Sequence, residues 1–132
     1  MPQATNLVVK KADGTTDVTY ALIAAASGDK SPALFRVENA SPVIGARPTF
    51  RMESQANAAK TARIVTSRST HPYSVSGADG RVSIVNQVIV ETRVVLPNDV
   101  PDTIHVEAVA QHANLEKHAI VLASNQSGYA PT

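Results

Sequence analysis

Between residues 7 and 95 this 132-residue chain carries strand patterns joined by loops, and the helical pattern comes only after residue 99. Strands first and helices last exclude the alternating order of a parallel α/β sheet. They predict an α+β fold: an antiparallel sheet with its helices on one face. Leu7 to Lys11 and Thr16 to Ile23 flank Asp13-Gly14, a strong hairpin signal. Ala24 to Pro32 reads as a loop and Ala33 to Asn39 as the third strand. Strands over 46–54, 60–68 and 81–95 follow, with Gln55 to Ala59 as a turn and Ser69 to Gly80 as a long loop. The pieces are a hairpin (1–24), a main sheet (33–96), helices (99–125) and a tail (126–132), all in one domain of 1–132.

Side chains alternate across a sheet. Arg47, Thr49, Arg51 and Glu53 therefore share one face of their strand, and Phe50 and Met52 the other. In the next strand Thr61 and Arg63 alternate with Ala62 and Ile64. In 81–95 the even row, including Ile84, Val88 and Val90, is read as the drier one. Past Pro97 and Pro101, Ile104, Val106, Val109, Ala110 and Ala113 recur at helical spacing. The pattern weakens over Asn114 to His118 and resumes at Ala119, giving two helices or one bent near Asn114. About 25 helical residues are few for the apolar face of a sheet of about five strands. An interlocked homodimer, each chain's helices over the partner's sheet, supplies the missing cover.

Charge is unevenly spread. Residues 36–93 hold eight basic residues against four acids, whereas 94–132 hold one Lys against four acids. A basic sheet can meet a polyanion, and an acidic helical tail cannot. The row Arg47, Thr49, Arg51, Thr61, Arg63 suits phosphate contact with short polar groups near bases. The chain has no Cys, which removes disulfides and thiolate metal sites. His105, His112 and His118 do not converge with enough other ligands for a metal, and they read as surface or interface residues. There is no Gly-x-Ser-x-Gly elbow, phosphate loop or apolar acid pair, so no enzyme and no cofactor is expected. The N-terminal residues show neither a signal-peptide pattern nor a membrane span.

The element order resembles that of the coat proteins of single-stranded RNA bacteriophages, the levivirus type. The resemblance covers essentially the whole chain. It is carried by the hairpin Leu7–Ile23, Arg47-Pro-Thr-Phe-Arg-Met-Glu53, Thr61-Ala-Arg-Ile-Val65, Val90-Glu-Thr-Arg-Val-Val-Leu-Pro97 and the end Ala123-Ser-Asn-Gln-Ser-Gly-Tyr129. It implies a homodimer that assembles in the bacterial host cytoplasm into the icosahedral capsid of a virion. It implies that the helix-free sheet face binds genomic RNA, and an operator hairpin as translational repressor. The implied RNA contacts are Arg47, Thr49, Arg51, Thr61, Arg63, Ser83, Val85, Gln87 and Ile89; no family-type stacking aromatic stands in the last strand. The implied dimer interface comprises Ile84, Val88, Val90, Ile104, Val109 and Ala113. The loop 69–80, with His71, Pro72, Tyr73, Gly77 and Gly80, is expected between dimers. The alternative is a non-viral dimeric protein that binds single-stranded nucleic acid through the same face; a fibre or pilus subunit is a third reading.

Overall fold

The structure is a computed structural model that describes residues 2–132. Among the described residues six strands lie in the order of the sequence, β1 to β6, each hydrogen-bonded to the next. β1 (Leu7–Lys10) and β2 (Asp17–Ala24) form the opening hairpin, with Leu7 opposite Tyr20 and Lys10 opposite Asp17. Its loop is longer than a two-residue turn because the Asp13 side chain organises it. Oδ1 of Asp13 accepts from the backbone N–H groups of Thr15 and Thr16, both at 2.9 Å. Gly14, at φ 74°, takes the left-handed conformation that closes it. Bonding from the Thr16 hydroxyl, then from the Thr16 and Thr15 N–H groups, lowers the Asp13 carboxyl to a pKa of about 2.

The hairpin runs on into the main sheet. β3 (Ala33–Arg36) pairs with β2 through a register shift between Leu22 and Ala24. It also pairs with β4 (Thr49–Ala56), setting Phe35 opposite Phe50 with ring centroids 6.0 Å apart. The expected third strand to Asn39 stops at Arg36, although Val37 N–H still donates to Pro48 C=O at 3.0 Å. A one-turn 3₁₀ segment, Ile44–Ala46, leads into β4. Phe35, Val37, Ala46 and Ala62 are the buried apolar residues among those described, and no large side chain is fully buried.

β5 (Ala62–Ser76) and β6 (Val82–Pro97) are long. The expected loop over 69–80 is therefore corrected: His71, Pro72 and Tyr73 lie within β5, and only 77–81 turns. Gly77 N–H donates to Arg81 C=O at 2.8 Å, and Gly80 sits at φ 77°. Pro72 misled the reading because proline usually breaks a strand. Here β4 begins at Thr49, opposite Thr70, so Pro72 lies beyond the end of β4 and that edge asks no ladder bond of it. In one chain both rows of β6 are open: Ile84, Val85, Val88, Ile89 and Val90 are all exposed.

Leu96–Thr132 form a second compact unit. α1 (Asp102–Lys117) starts at Pro101, whose carbonyl accepts from Ile104 N–H at 3.0 Å. Two helices form, and the break is at His118 instead of Asn114. His118 is extended (φ −64°, ψ 138°) and its Nδ1 accepts from Ile120 N–H, capping α2 (Ala119–Ser127). The Asn125 amide donates to Glu116 across the break at 2.9 Å. Gly128, at φ 83°, ends α2 two residues beyond the expected boundary. Neither helix has a buried residue, and Ile104, Val106, Val109, Leu115, Ile120 and Leu122 are exposed.

Candidate nucleic-acid interface

The register of β4 and β5 decides which basic residues share a face. Asn57 N–H donates to Ala62 C=O at 3.0 Å, closing a four-residue loop, 58–61. An even loop pairs odd positions with even ones: Thr49 with Thr70, Arg51 with Arg68, Glu53 with Thr66, Gln55 with Ile64. Directly paired residues project to the same side. One face thus carries Thr49, Arg51, Arg68 and Ile64, with Leu34 and Arg36 of β3, which pair with Arg51 and Thr49. The other carries Phe35, Phe50, Met52, Ser54 and Arg63.

This corrects the expected row. Arg63 stands on the side opposite Arg51, and Ile64 on the side opposite Phe50. Thr61 lies in the turn, where its N–H donates to Asn57 Oδ1 at 2.8 Å. Arg47 lies before β4 and is mostly buried. Its Nε donates to Ser41 C=O at 2.8 Å and its guanidinium pairs with Glu38. Only Thr49 and Arg51 of the five remain together in one paired row. The alternation within each strand was read correctly, but phase between strands depends on loop length, set here by the Asn57 side chain. Arg68, directly opposite Arg51, is the residue that the sequence reading missed.

Most of these charges are partnered within the chain. Glu38 bonds both Arg36, at 2.7 Å, and Arg47. Its carboxyl is held below the ordinary range, chiefly by the Arg36 hydrogen bond. Arg63 donates to both oxygens of Asp29, at 2.9 and 2.8 Å, tying the β2–β3 loop to β5. That bond lowers the Asp29 carboxyl and raises Arg63. Arg51 meets Glu53 at 3.0 Å, Arg68 meets Glu91 at 3.5 Å and Arg81 meets Asp79 at 3.5 Å. Ser83, Val85, Gln87 and Ile89 alternate along β6 and are all exposed. Among the described residues no group of three or more His, Cys, Asp or Glu could hold a metal ion. Among the described residues no helix is long and apolar enough to cross a membrane.

No protein-family model matches the chain, and no curated protein sequence does. Solved structures do. The chain is similar to the virus-like particle of Beihai levi-like virus 21, at 17% identity and TM-score 0.84, over 99% of both chains. It is similar to the bacteriophage EMS014 coat protein, at 12% identity and TM-score 0.82, over 99% of this chain and 100% of that one. The bacteriophage GA protein capsid matches at 16% identity and TM-score 0.68, over 96% of this chain and 95% of that one. An antiparallel sheet followed by two C-terminal helices is thus the fold of bacteriophage and levi-like virus coat proteins, and this chain has it from end to end.

Proposed function

We propose that the chain is a capsid coat protein. Two copies form a dimer, and dimers assemble into a closed shell around single-stranded RNA. The observation that carries this reading is the full-length match in fold to chains of virus-like particles. The exposed apolar side chains of β6 and of both helices support it, since the described residues bury very little large apolar surface in one copy. Contiguous exposed apolar side chains mark interaction surfaces. In this reading Ile84, Val88, Val90, Ile104, Val109 and Ala113 meet the partner copy, and the β5–β6 turn at Gly77 and Gly80 reaches the neighbouring dimers. Thr49, Arg51 and Arg68 face the RNA, together with Ser83, Val85, Gln87 and Ile89. Arg63 leaves the contact set, because it lies on the other face and is held by both oxygens of Asp29. The mechanism is binding and assembly, with no chemical step and no cofactor. A specific operator hairpin repressing translation is the finer form of the same activity.

Electron microscopy of the recombinant protein, with absorbance of the particles at 260 nm, tests the reading. Uniform closed particles rich in nucleic acid are the expected result. A stable folded monomer, or particles empty under every condition, would overturn it.

A further inference from the structure

Two non-glycine residues, Lys30 at φ 64° and Lys60 at φ 56°, hold left-handed backbone conformations among the described residues. Lysine is a poor choice for that region, where glycine or asparagine is accommodated with less strain. Neither conformation is incidental. Lys30 N–H donates to Ser54 C=O at 3.0 Å, which anchors the β2–β3 loop on β4. Lys60 N–H donates to Asn57 C=O at 3.0 Å, inside the turn closed by Asn57. Both lysines line the same open cavity of about 650 Å³, and Arg93 of β6 lines it with them. Strained backbone gathered around one cavity is a pointer to function.

The lining says what the cavity suits. Lys30, Lys60 and Arg93 line it with one acid, Asp29, which is bonded by Arg63 and also feels the charge of Lys30. Asn57 serves the turn, accepting from Thr61 N–H at 2.8 Å and donating to the Thr61 hydroxyl at 3.0 Å. Ala56, Ala58 and Ile64 supply an apolar wall. Cations lining one cavity beside a small apolar wall match a phosphate with its attached base. We propose that this cavity is a phosphate-binding site for single-stranded RNA, anchored by Lys30, Lys60 and Arg93. The site rests on the reading of the chain as an RNA-enclosing coat protein. It adds to the Thr49–Arg51 row a position where two loops and β6 meet.

The test separates charge from backbone. Lys30→Gly and Lys60→Gly remove the charge while relieving the strained φ. The purified variants are titrated with a fluorescein-labelled single-stranded RNA 20-mer over a salt series, and their melting temperatures are measured. The expected result is an unchanged or higher melting temperature in both. The slope of log affinity on log salt should be shallower by about 0.7 for each lysine removed. Arg93→Gln should lower the slope by a similar step, and Lys11→Ala, in the β1–β2 loop, should not. Wild-type slopes in the three cavity variants would overturn the site and leave the coat-protein reading standing. A wild-type protein that neither binds nor packages RNA would overturn both. A lower melting temperature in both glycine variants would make the lysines loop supports and overturn the site. Adenosine monophosphate bound as tightly as the 20-mer, and lost in the same variants, would assign the cavity to free nucleotides and overturn the RNA assignment.

Discussion

Val88 is the sharpest place to test whether a second copy completes this fold. It sits in the middle of β6 with 61% of its surface exposed. Burying a whole valine side chain contributes about 1.5–3 kcal/mol, so covering what remains exposed contributes about 1–2 kcal/mol per copy. A twofold interface counts each substitution twice. Val88→Ala removes two methyl-sized groups from each copy, at ~0.8 kcal/mol per group when wholly buried. Scaled to the exposed part, the dimer loses about 2 kcal/mol, or roughly 30-fold in dissociation constant. Val88→Asp should be far more severe, because it also asks two carboxylates to enter an apolar interface. The assay is sedimentation over a concentration series, with electron microscopy of the same samples. Val8 is the control: it is 60% exposed but lies on β1, outside the proposed interface. Val8→Ala should leave association unchanged. If Val88→Asp sediments and assembles like the wild type, β6 is not the contact and the interface reading is wrong.

Phe35→Ala should destabilise the sheet by about 3–5 kcal/mol, since the ring is 5% exposed and packs on Phe50. Chemical denaturation reads this, and an unmoved midpoint would contradict the position of the core. Asp13 should titrate near a pKa of about 2, read by carbon NMR of its carboxyl. Its folded pKa is depressed, so its contribution is complete above the ordinary aspartate value of 3.8 and is lost as pH falls towards about 2. A midpoint at the ordinary aspartate value would refute the Thr15–Thr16 bonding. Gly80→Ala should cost roughly 1–2 kcal/mol through its positive φ alone, because a Cβ there meets nothing within 4 Å. Equal stability of the variant in thermal melts would refute the turn geometry.

What could be read in the sequence was set by local forces. The Asp13-Gly14 loop, the alternation inside β4 and the end of the sheet near Pro97 depend on residues close together in the chain. The helix boundary at His118 was missed because a histidine cap gives no strong signal beside a Glu-Lys pair. The extension of β5 through His71, Pro72 and Tyr73 was missed because Pro72 is tolerated only where β4 has already ended. Such a position cannot be known before the pairing is. The face of Arg63 is a longer-range matter again. A change of one residue in the 58–61 loop would exchange the two faces of β5 relative to β4. A family resemblance carried across strand by strand does not register that parity.

Counting basic residues also overstates the charge that a partner can meet. Glu38 serves two arginines, and Asp29, outside the basic segment, takes Arg63. Arg51 and Arg68 are a different case. They stand directly opposite each other, and like charges so placed repel. Glu53 and Glu91 offset that repulsion in the free chain, at 3.0 and 3.5 Å. Both pairs are open to solvent, with the arginine side chains 55% and 46% exposed. Ion pairs of that kind are weak and screened by salt. A phosphate approaching between the two guanidiniums would trade weak carboxylate contacts for stronger phosphate ones and would relieve the arginine repulsion at the same time. The bidentate Arg63–Asp29 clamp offers no such exchange, because breaking it would also release the β2–β3 loop that carries Lys30. In the coat-protein reading, the distinction between exchangeable and structural ion pairs sets which of this sheet's arginines serve RNA and which hold the fold.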